Sequence, residues 1–248
     1  MDYYKQIFRR KSFHHFKGRQ TLSIEEMEGV ENFIRTVKPL DEGIRVCTRI
    51  VPASETVGRR DAEYCILFYS QRKGDYLRNI GYMGEQIDLY LASQNIGALW
   101  LGLGKPRQSV FDGLHYVIMI AIAKMPEDKF RQDMFAEKRK RLEDVWSGDT
   151  LDIAGIVRFS PSACNTQPWI VQNDSNTLKV YRNCKRTLWP AVVTNYYNRI
   201  DVGIFLFILE ICLNEQNYTY ERSLFVDVAT PKSDKTLIAT YNYALLQD

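Results

Sequence analysis

A chain of 248 residues with 45% hydrophobic and 25% charged residues has the composition of an ordinary globular protein. Its 33 Lys+Arg against 30 Asp+Glu leave a formal charge of +3, too small to make nucleic acid or an anionic membrane the default partner. Aromatic residues at 12% exclude disorder as the dominant state, and this length buries a core without disulfide or metal.

The N-terminus, Met1-Asp2-Tyr3-Tyr4-Lys5, is polar and leads to Arg9-Arg10-Lys11 with no apolar stretch behind it, which argues against an export signal. Residues 21–37 predict an amphipathic helix, opened by a capping box of Ser23 and Glu26. Residues 64–69 form a short apolar run of strand character, and 79–96 carry Ile80, Met83, Ile87, Tyr90 and Leu91 at helical spacing. A Gly-Leu-Gly-Lys-Pro turn at 102–106 follows, then a second strand at 115–123 and a densely charged segment at 125–144. Residues 151–158 predict a short helix stopped before Pro161. Strands are expected at 169–172 and 177–181 around the turn 173–176, a long helix at 198–213, and closing strands at 223–229 and 237–245. The apolar stretch 200–213 contains Asp201 and Glu210 and is too short to span a bilayer. Five cysteines without a CxxC pair suggest free thiols, hence a cytoplasmic location.

Two halves, about 1–145 and 146–248, echo each other. Leu67 and Asp88 have counterparts at Val180 and Asp201, both at an offset of 113 residues (180 − 67, 201 − 88). No Gly/Ser linker separates the halves, which predicts one intertwined domain over 1–248.

Three histidines, His14, His15 and His115, cannot build a rich acid/base or metal site, and neither GxGxxG, P-loop, HExxH nor GxSxG occurs. Three other constellations carry more. In Pro161-Ser162-Ala163-Cys164-Asn165-Thr166-Gln167-Pro168-Trp169, hydroxyl and amide groups between two prolines make a rigid turn suited to the edge of a flat heterocycle. The same residues also suit a helix-to-strand connection with Trp169 as core anchor. Arg9-Arg10-Lys11-Ser12 suits a phosphate, or a solvated basic terminus. Arg139-Lys140-Arg141 suits a phosphate or a solvated helix face, and it lacks the interleaved aromatics of a nucleic-acid surface.

Together these words resemble the FMN-dependent nitroreductase family. Arg10-x-Ser12 followed by Phe16 resembles its N-terminal phosphate word, and Pro161-Ser162-x-x-Asn165-x-Gln167-Pro168-Trp169 closely resembles its flavin-binding signature. Residues 79–102 resemble the long central helix, after which the family's loop passes flavin N5; Arg139-Lys140-Arg141-Leu142 resembles the late basic-x-Arg-Leu word. The resemblance implies an α+β fold, a nitroreductase-like α/β/α sandwich. Here the Pro-Ser word follows the basic-x-Arg-Leu word instead of preceding it, so the implied form is a single-chain, internally duplicated pseudo-dimer. The implied cofactor-binding residues are Arg9, Arg10, Ser12, His14, Leu101, Gly102, Arg139, Arg141, Pro161, Ser162, Asn165 and Gln167, with no metal. His14 stands where the family carries Lys or Arg near the flavin N1 edge, and histidine is only partly charged at neutral pH. The implied function is NAD(P)H-driven ping-pong reduction of a nitroaromatic, quinone or similar flat acceptor. The alternative is an FMN-binding sensor or carrier without turnover. A fused pair predicts a monomer, or a homodimer through another surface.

Overall fold

The computed structural model describes residues 1–58, 60–185, 190, 193–227 and 233–246. The chain is a mixed helix-and-sheet, α+β protein that divides into two compact units, Met1–Met134 and Phe135–Asp248.

The first unit begins with α1 (Tyr3–Arg9) and α2 (Ile24–Ile34). Ser23 caps α2 as its sequence predicts: Ser23 Oγ accepts the Glu26 amide at 3.1 Å and Glu26 Oε2 accepts the Ser23 amide at 2.9 Å. Then come β1 (Val46–Pro52), β2 (Thr56–Val57), β3 (Tyr64–Ser70), α3 (Tyr76–Ser93), β4 (Ile96–Leu101), β5 (Lys105–Pro106), β6 (Val110–Phe111) and β7 (Leu114–Lys124). The main sheet runs β1-β3-β7-β4, every pair antiparallel, with β6 against β7. Strand β3 is covered on both faces. Cys65, Leu67 and Tyr69 join Phe13, Phe16 and Met119 in one core cluster. The alternate Phe68 turns to the other face and stacks on Trp100, ring centroids 6.2 Å apart.

Gly84 of α3 lets that indole approach: a Cβ there would lie 2.3 Å from the Trp100 ring. Trp100 is held by Phe68 and by its Nε1–H donated to Asp88, so it cannot simply swing aside. Gly84→Ala should therefore destabilise by about 1–3 kcal/mol despite alanine's better helix propensity. Calorimetry should show Tm falling by about 5 °C.

The second unit contains α4 (Leu142–Val145), β8 (Trp146–Gly148), α5 (Ala154–Val157), β9 (Trp169–Asp174), β10 (Thr177–Asn183), α6 (Asn198–Glu215), β11 (Tyr218–Leu224) and β12 (Lys235–Leu245). Its sheet runs β11-β12-β10-β9-β8; β8 and β9 are parallel and the other pairs antiparallel. The β9–β10 hairpin turns through Ser175 and Asn176, both at positive φ, the two-residue turn whose twist matches its strands. Trp169 is 1% exposed and stacks on Phe205, centroids 4.9 Å apart, so it is a core anchor. Helix α6 is buried on nearly all sides, with Asn198, Asp201 and Glu210 as its buried polar positions.

Each unit threads its four antiparallel strands in the same order. The path β1-β3-β7-β4 matches β9-β10-β12-β11, with an 18-residue helix after the second strand in both. Even a register shift recurs, between Phe68 and Tyr69 in one unit and between Val180 and Tyr181 in the other.

Several expectations shift. The offset of 113 holds for β3 and β10 (177 − 64), but the helices and the strands after them correspond at 122 (198 − 76, 218 − 96). The strand-to-helix connection is longer in the second unit. Asp88 therefore matches Glu210 in position, and Asp201 matches Asn79. Strand β4 starts on the last residue of the expected helix 79–96 and runs through 97–101, which the resemblance placed in the long central helix; β1 lies in a stretch given no element. Strand β11 spans 218–224 where 223–229 was expected; residues 228 and 229 lie outside the described ones. The 125–144 segment holds no long helix, and Arg139 and Lys140 sit on irregular backbone.

Candidate functional site

In the first unit the N-terminal arginine word lies beside β4: Ser12 bridges to Ala98, and the Phe13 amide donates to the Ala98 carbonyl at 3.0 Å. Arg10 is 4% exposed. Its Nε donates to Asp88 Oδ2 at 2.8 Å and its Nη2 to Ser12 Oγ at 3.3 Å. The same Asp88 oxygen accepts Trp100 Nε1–H at 2.9 Å. One turn earlier on α3, Glu85 is fully buried, and among the described residues neither carboxyl oxygen has a hydrogen-bond partner. Burial, and next the neighbouring Asp88 charge, push its carboxyl well above the usual carboxylate range.

Arg9 plays another part. Its guanidinium donates to the Ala92 carbonyl and Asn95 Oδ1 at the C-terminal end of α3, and it lies 4.1 Å from the Phe130 ring centre. It is an anchor for the helix end, where the last carbonyls lack intrahelical donors. Phe13 and Phe16 turn into the core while His14 and His15 are both exposed, on a bend and not on alternating faces of a strand. Leu101 ends β4. Gly102 enters a turn closed by the Gly104 amide donating to the Leu101 carbonyl at 3.1 Å.

The second unit holds the Pro-Ser turn together with the basic word. Lys140 makes the link: its Nζ donates to the Thr166 and Gln167 carbonyls at 2.7 and 2.8 Å, and its amide donates to Gln167 Oε1 at 2.8 Å. Burial pushes the Lys140 ammonium below its ordinary value. Asn165 Nδ2 donates to the Lys138 carbonyl at 3.1 Å. Within the turn, Ser162 Oγ accepts the Gln167 amide at 2.9 Å, and Gln167 Nε2 reaches Asn165 Oδ1 at 3.2 Å. Arg139 Nη2 donates to the Phe159 carbonyl at 3.4 Å. Arg141 is exposed and paired with Asp144 at 3.1 Å and Glu143 at 3.2 Å.

This turn is strained. Cys164, Asn165 and Gln167 all have positive φ (51°, 54° and 46°), a conformation that non-glycine residues hold only when their surroundings impose it. Part of that imposition comes from α6. Asp201, buried in its first turn, accepts the Ala163 amide on both oxygens at 3.1 Å. Asn198, once its amide is oriented to donate, reaches Thr166 Oγ1 at 2.9 Å and Asp201 Oδ2 at 3.3 Å. Burial raises the Asp201 carboxyl well above its usual value, opposed by the Ala163 hydrogen bond.

The structure thus joins Arg10 with Ser12 in one unit, and Pro161, Ser162, Asn165 and Gln167 with the 138–140 backbone in the other. Asp88, Asp201 and Lys140 bond directly to the anticipated segments, and Glu85 lies one turn from Asp88; none of the four was among the residues expected to bind the cofactor. For Asp201 the available signal was a charge inside the apolar run 200–213; Glu85 and Asp88 lie in a helix with several other polar residues, where no such signal stands out. A separate cavity of about 300 Å³ in the first unit is lined by none of the anticipated residues. Among the described residues, no helix is long and apolar enough to cross a membrane.

Residues 2–212 match the family profile described as "Putative TM nitroreductase". Among solved structures, a Thermotoga maritima MSB8 protein named a putative nitroreductase shares the fold. Its TM-score is 0.62 at 18% identity, covering 98% of this chain and 94% of that one. A Clostridium difficile 630 nitroreductase family protein aligns with 61% of this chain and 99% of its own, at 15% identity and a TM-score of 0.44. No curated protein matches the chain.

Proposed function

The chain belongs to the nitroreductase family matched over residues 2–212, an oxidoreductase family, and from that premise we propose that it is an FMN-dependent enzyme. NAD(P)H is the proposed reductant, and a nitroaromatic, quinone or similar flat molecule the acceptor, in ping-pong order. The observation that carries this reading is the strained, multiply anchored turn 162–167, whose hydroxyl and carboxamides suit the carbonyl and amide edge of an isoalloxazine. Arg10 with Ser12 provides a guanidinium and a hydroxyl of the kind that hold a phosphate.

When bound, FMN supplies the hydride chemistry. The chain's residues bind and orient. In the first unit Arg10 and Ser12 are of the kind that hold a phosphate, and the Leu101–Gly102 backbone would offer polar groups to a ring; in the second unit Ser162 and Asn165 are of the kind that meet a ring edge, with the buried Gln167 bracing Asn165. Arg9 drops from the phosphate set, because its guanidinium is engaged by the Ala92 carbonyl and Asn95 at the end of α3. The matching strand order supports reading the two units as fused, diverged copies of one ancestral subunit. The exposed His14 in place of a fixed cation favours a second reading, an FMN-binding protein without turnover.

Purified protein should show the two visible absorption bands of bound flavin, or take up added FMN with a shift of those bands. Protein that stays colourless after FMN addition ends this reading. Stopped-flow bleaching by NADH or NADPH then separates the enzyme from the non-turnover alternative.

A further inference from the structure

The 300 Å³ cavity of the first unit has the composition of a ligand site in its own right. One wall is apolar: Val51, Leu67 and Tyr69, each less than 7% exposed. The rest of the lining is charged: Arg49, which stands across the strand pair from Leu67, together with Arg107 and Glu55. The segment 106–108, which follows the Leu101–Gly102 turn, closes a side.

The charged wall is partly set before any ligand arrives. Arg49 lies 4.2 Å from the Phe111 ring centre and donates from Nη1 to Gln108 Oε1 at 3.0 Å. Gln108 is fixed in turn by the Tyr69 hydroxyl, which donates to its carbonyl at 2.9 Å. Ordering such groups in advance removes much of the entropic cost of binding. Arg107 and Glu55, by contrast, have neither hydrogen-bond nor ion-pair partner among the described residues, and the two do not pair with each other. Two guanidiniums against one carboxylate favour an anion, and guanidinium matches carboxylate geometry in particular. The apolar wall asks for a flat hydrocarbon body, and the volume is at the small end for ligand sites. The lone carboxylate asks for a hydrogen-bond donor elsewhere on the ligand.

We propose that this cavity binds a small aromatic carboxylate bearing a hydroxyl or amino group, its carboxylate on Arg107 and Arg49 and its donor on Glu55. The site is independent of the flavin reading, since it shares no residue with it.

The test is calorimetric titration of the full chain, pre-incubated with FMN, using 4-hydroxybenzoate and its neutral counterpart 4-hydroxybenzamide. The acid should bind saturably and the amide about ten- to hundredfold more weakly, the loss expected for a charge-assisted contact. Arg107→Ala, a change at an exposed loop position, should weaken the acid by a similar factor while leaving Tm and FMN absorbance unchanged. Equal binding of acid and amide, indifference to Arg107→Ala, or no saturable binding of the acid each overturns the proposal. Flavin absorbance in the same samples reports separately on the flavin reading.

Discussion

Replacing Asp201 with alanine should loosen the 162–167 turn and cost about 1–3 kcal/mol, whereas Asp201→Asn should be nearly neutral. The Ala163 amide donates to both carboxyl oxygens at 3.1 Å, and an asparagine oxygen can accept the same bond. The protein contains its own precedent. Asn79 holds the position on α3 that Asp201 holds on α6, and its Oδ1 accepts the amides of Leu40 and Asp41 at 2.7 and 3.0 Å, pinning the loop that leads to β1. Asp201 pins the loop that leads to β9. Three positive-φ residues in the turn raise the stakes, because each stores strain of about 1–3 kcal/mol that outside contacts must offset. Urea melts below the raised native value of the Asp201 carboxyl should rank wild type and Asp201→Asn together above Asp201→Ala. Hydrogen exchange should quicken at the Ala163 amide in the alanine variant only, whether or not flavin is present. FMN affinity should fall in the alanine variant and be rescued by asparagine. A pH series adds a sign. Burial raises the Asp201 carboxyl above its ordinary 3.8, so the folded state binds this proton more readily than the unfolded state. Its contribution to stability therefore falls as pH rises from 3.8 through the raised native value, then levels off. That slope should vanish in Asp201→Asn. An alanine variant as stable and as flavin-binding as wild type removes Asp201 from the site.

What was legible in the sequence follows local chemistry. Ser23 with Glu26 announces a helix start because capping needs only four consecutive residues, and 173–176 announces a hairpin because few residues accept positive φ. The Pro161–Trp169 word is legible for the same reason: its prolines and amides specify a turn locally. Strands β1 and β4 were not legible. Ile-Gly-Ala-Leu-Trp-Leu at 96–101 is apolar on both faces, and a short run of that kind does not separate a buried strand from a helix end. Partnerships across the chain were the least visible. Arg9, Arg10 and Arg141 are equivalent as cations in a list of residues, yet one caps α3, one is buried on Asp88 and one pairs with exposed acids. Chain distance hides such pairs: Arg10 and Asp88 stand 78 residues apart. The internal correspondence was found at the strands but misregistered at the helices, since the lengthened connection before α6 carries no mark of its own.

Replacing Arg10 alone should be the most damaging single change in the first unit. The Arg10–Asp88 pair is buried, with side chains 5% and 1% exposed, so Arg10→Met leaves a carboxylate in the core that still accepts the Trp100 indole N–H. Losing one partner of a buried pair costs about 3–5 kcal/mol, mostly for the charge left behind. The double variant Arg10→Met/Asp88→Asn should recover most of that, because asparagine carries no charge and its oxygen still accepts the Trp100 Nε1–H. Recovery of fold then isolates the role of Arg10 in binding. A double variant that folds but no longer takes up FMN identifies Arg10 as a phosphate contact; one that folds and keeps FMN affinity assigns Arg10 to the fold alone. Glu85 bears on the same balance. Its buried, unpartnered carboxyl is held above the ordinary 4.5, so it stays neutral over a wider pH range and spares the site a second negative charge beside Asp88. Folding favours its proton, so stability falls as pH climbs from 4.5 through the raised native value. Glu85→Gln, which fixes the neutral form, should flatten this slope and raise stability relative to wild type at the alkaline end, as urea melts across pH will show. If wild type and Glu85→Gln keep parallel profiles, the carboxyl is ionised in the native core, with Arg10 and Arg131 balancing it together with Asp88.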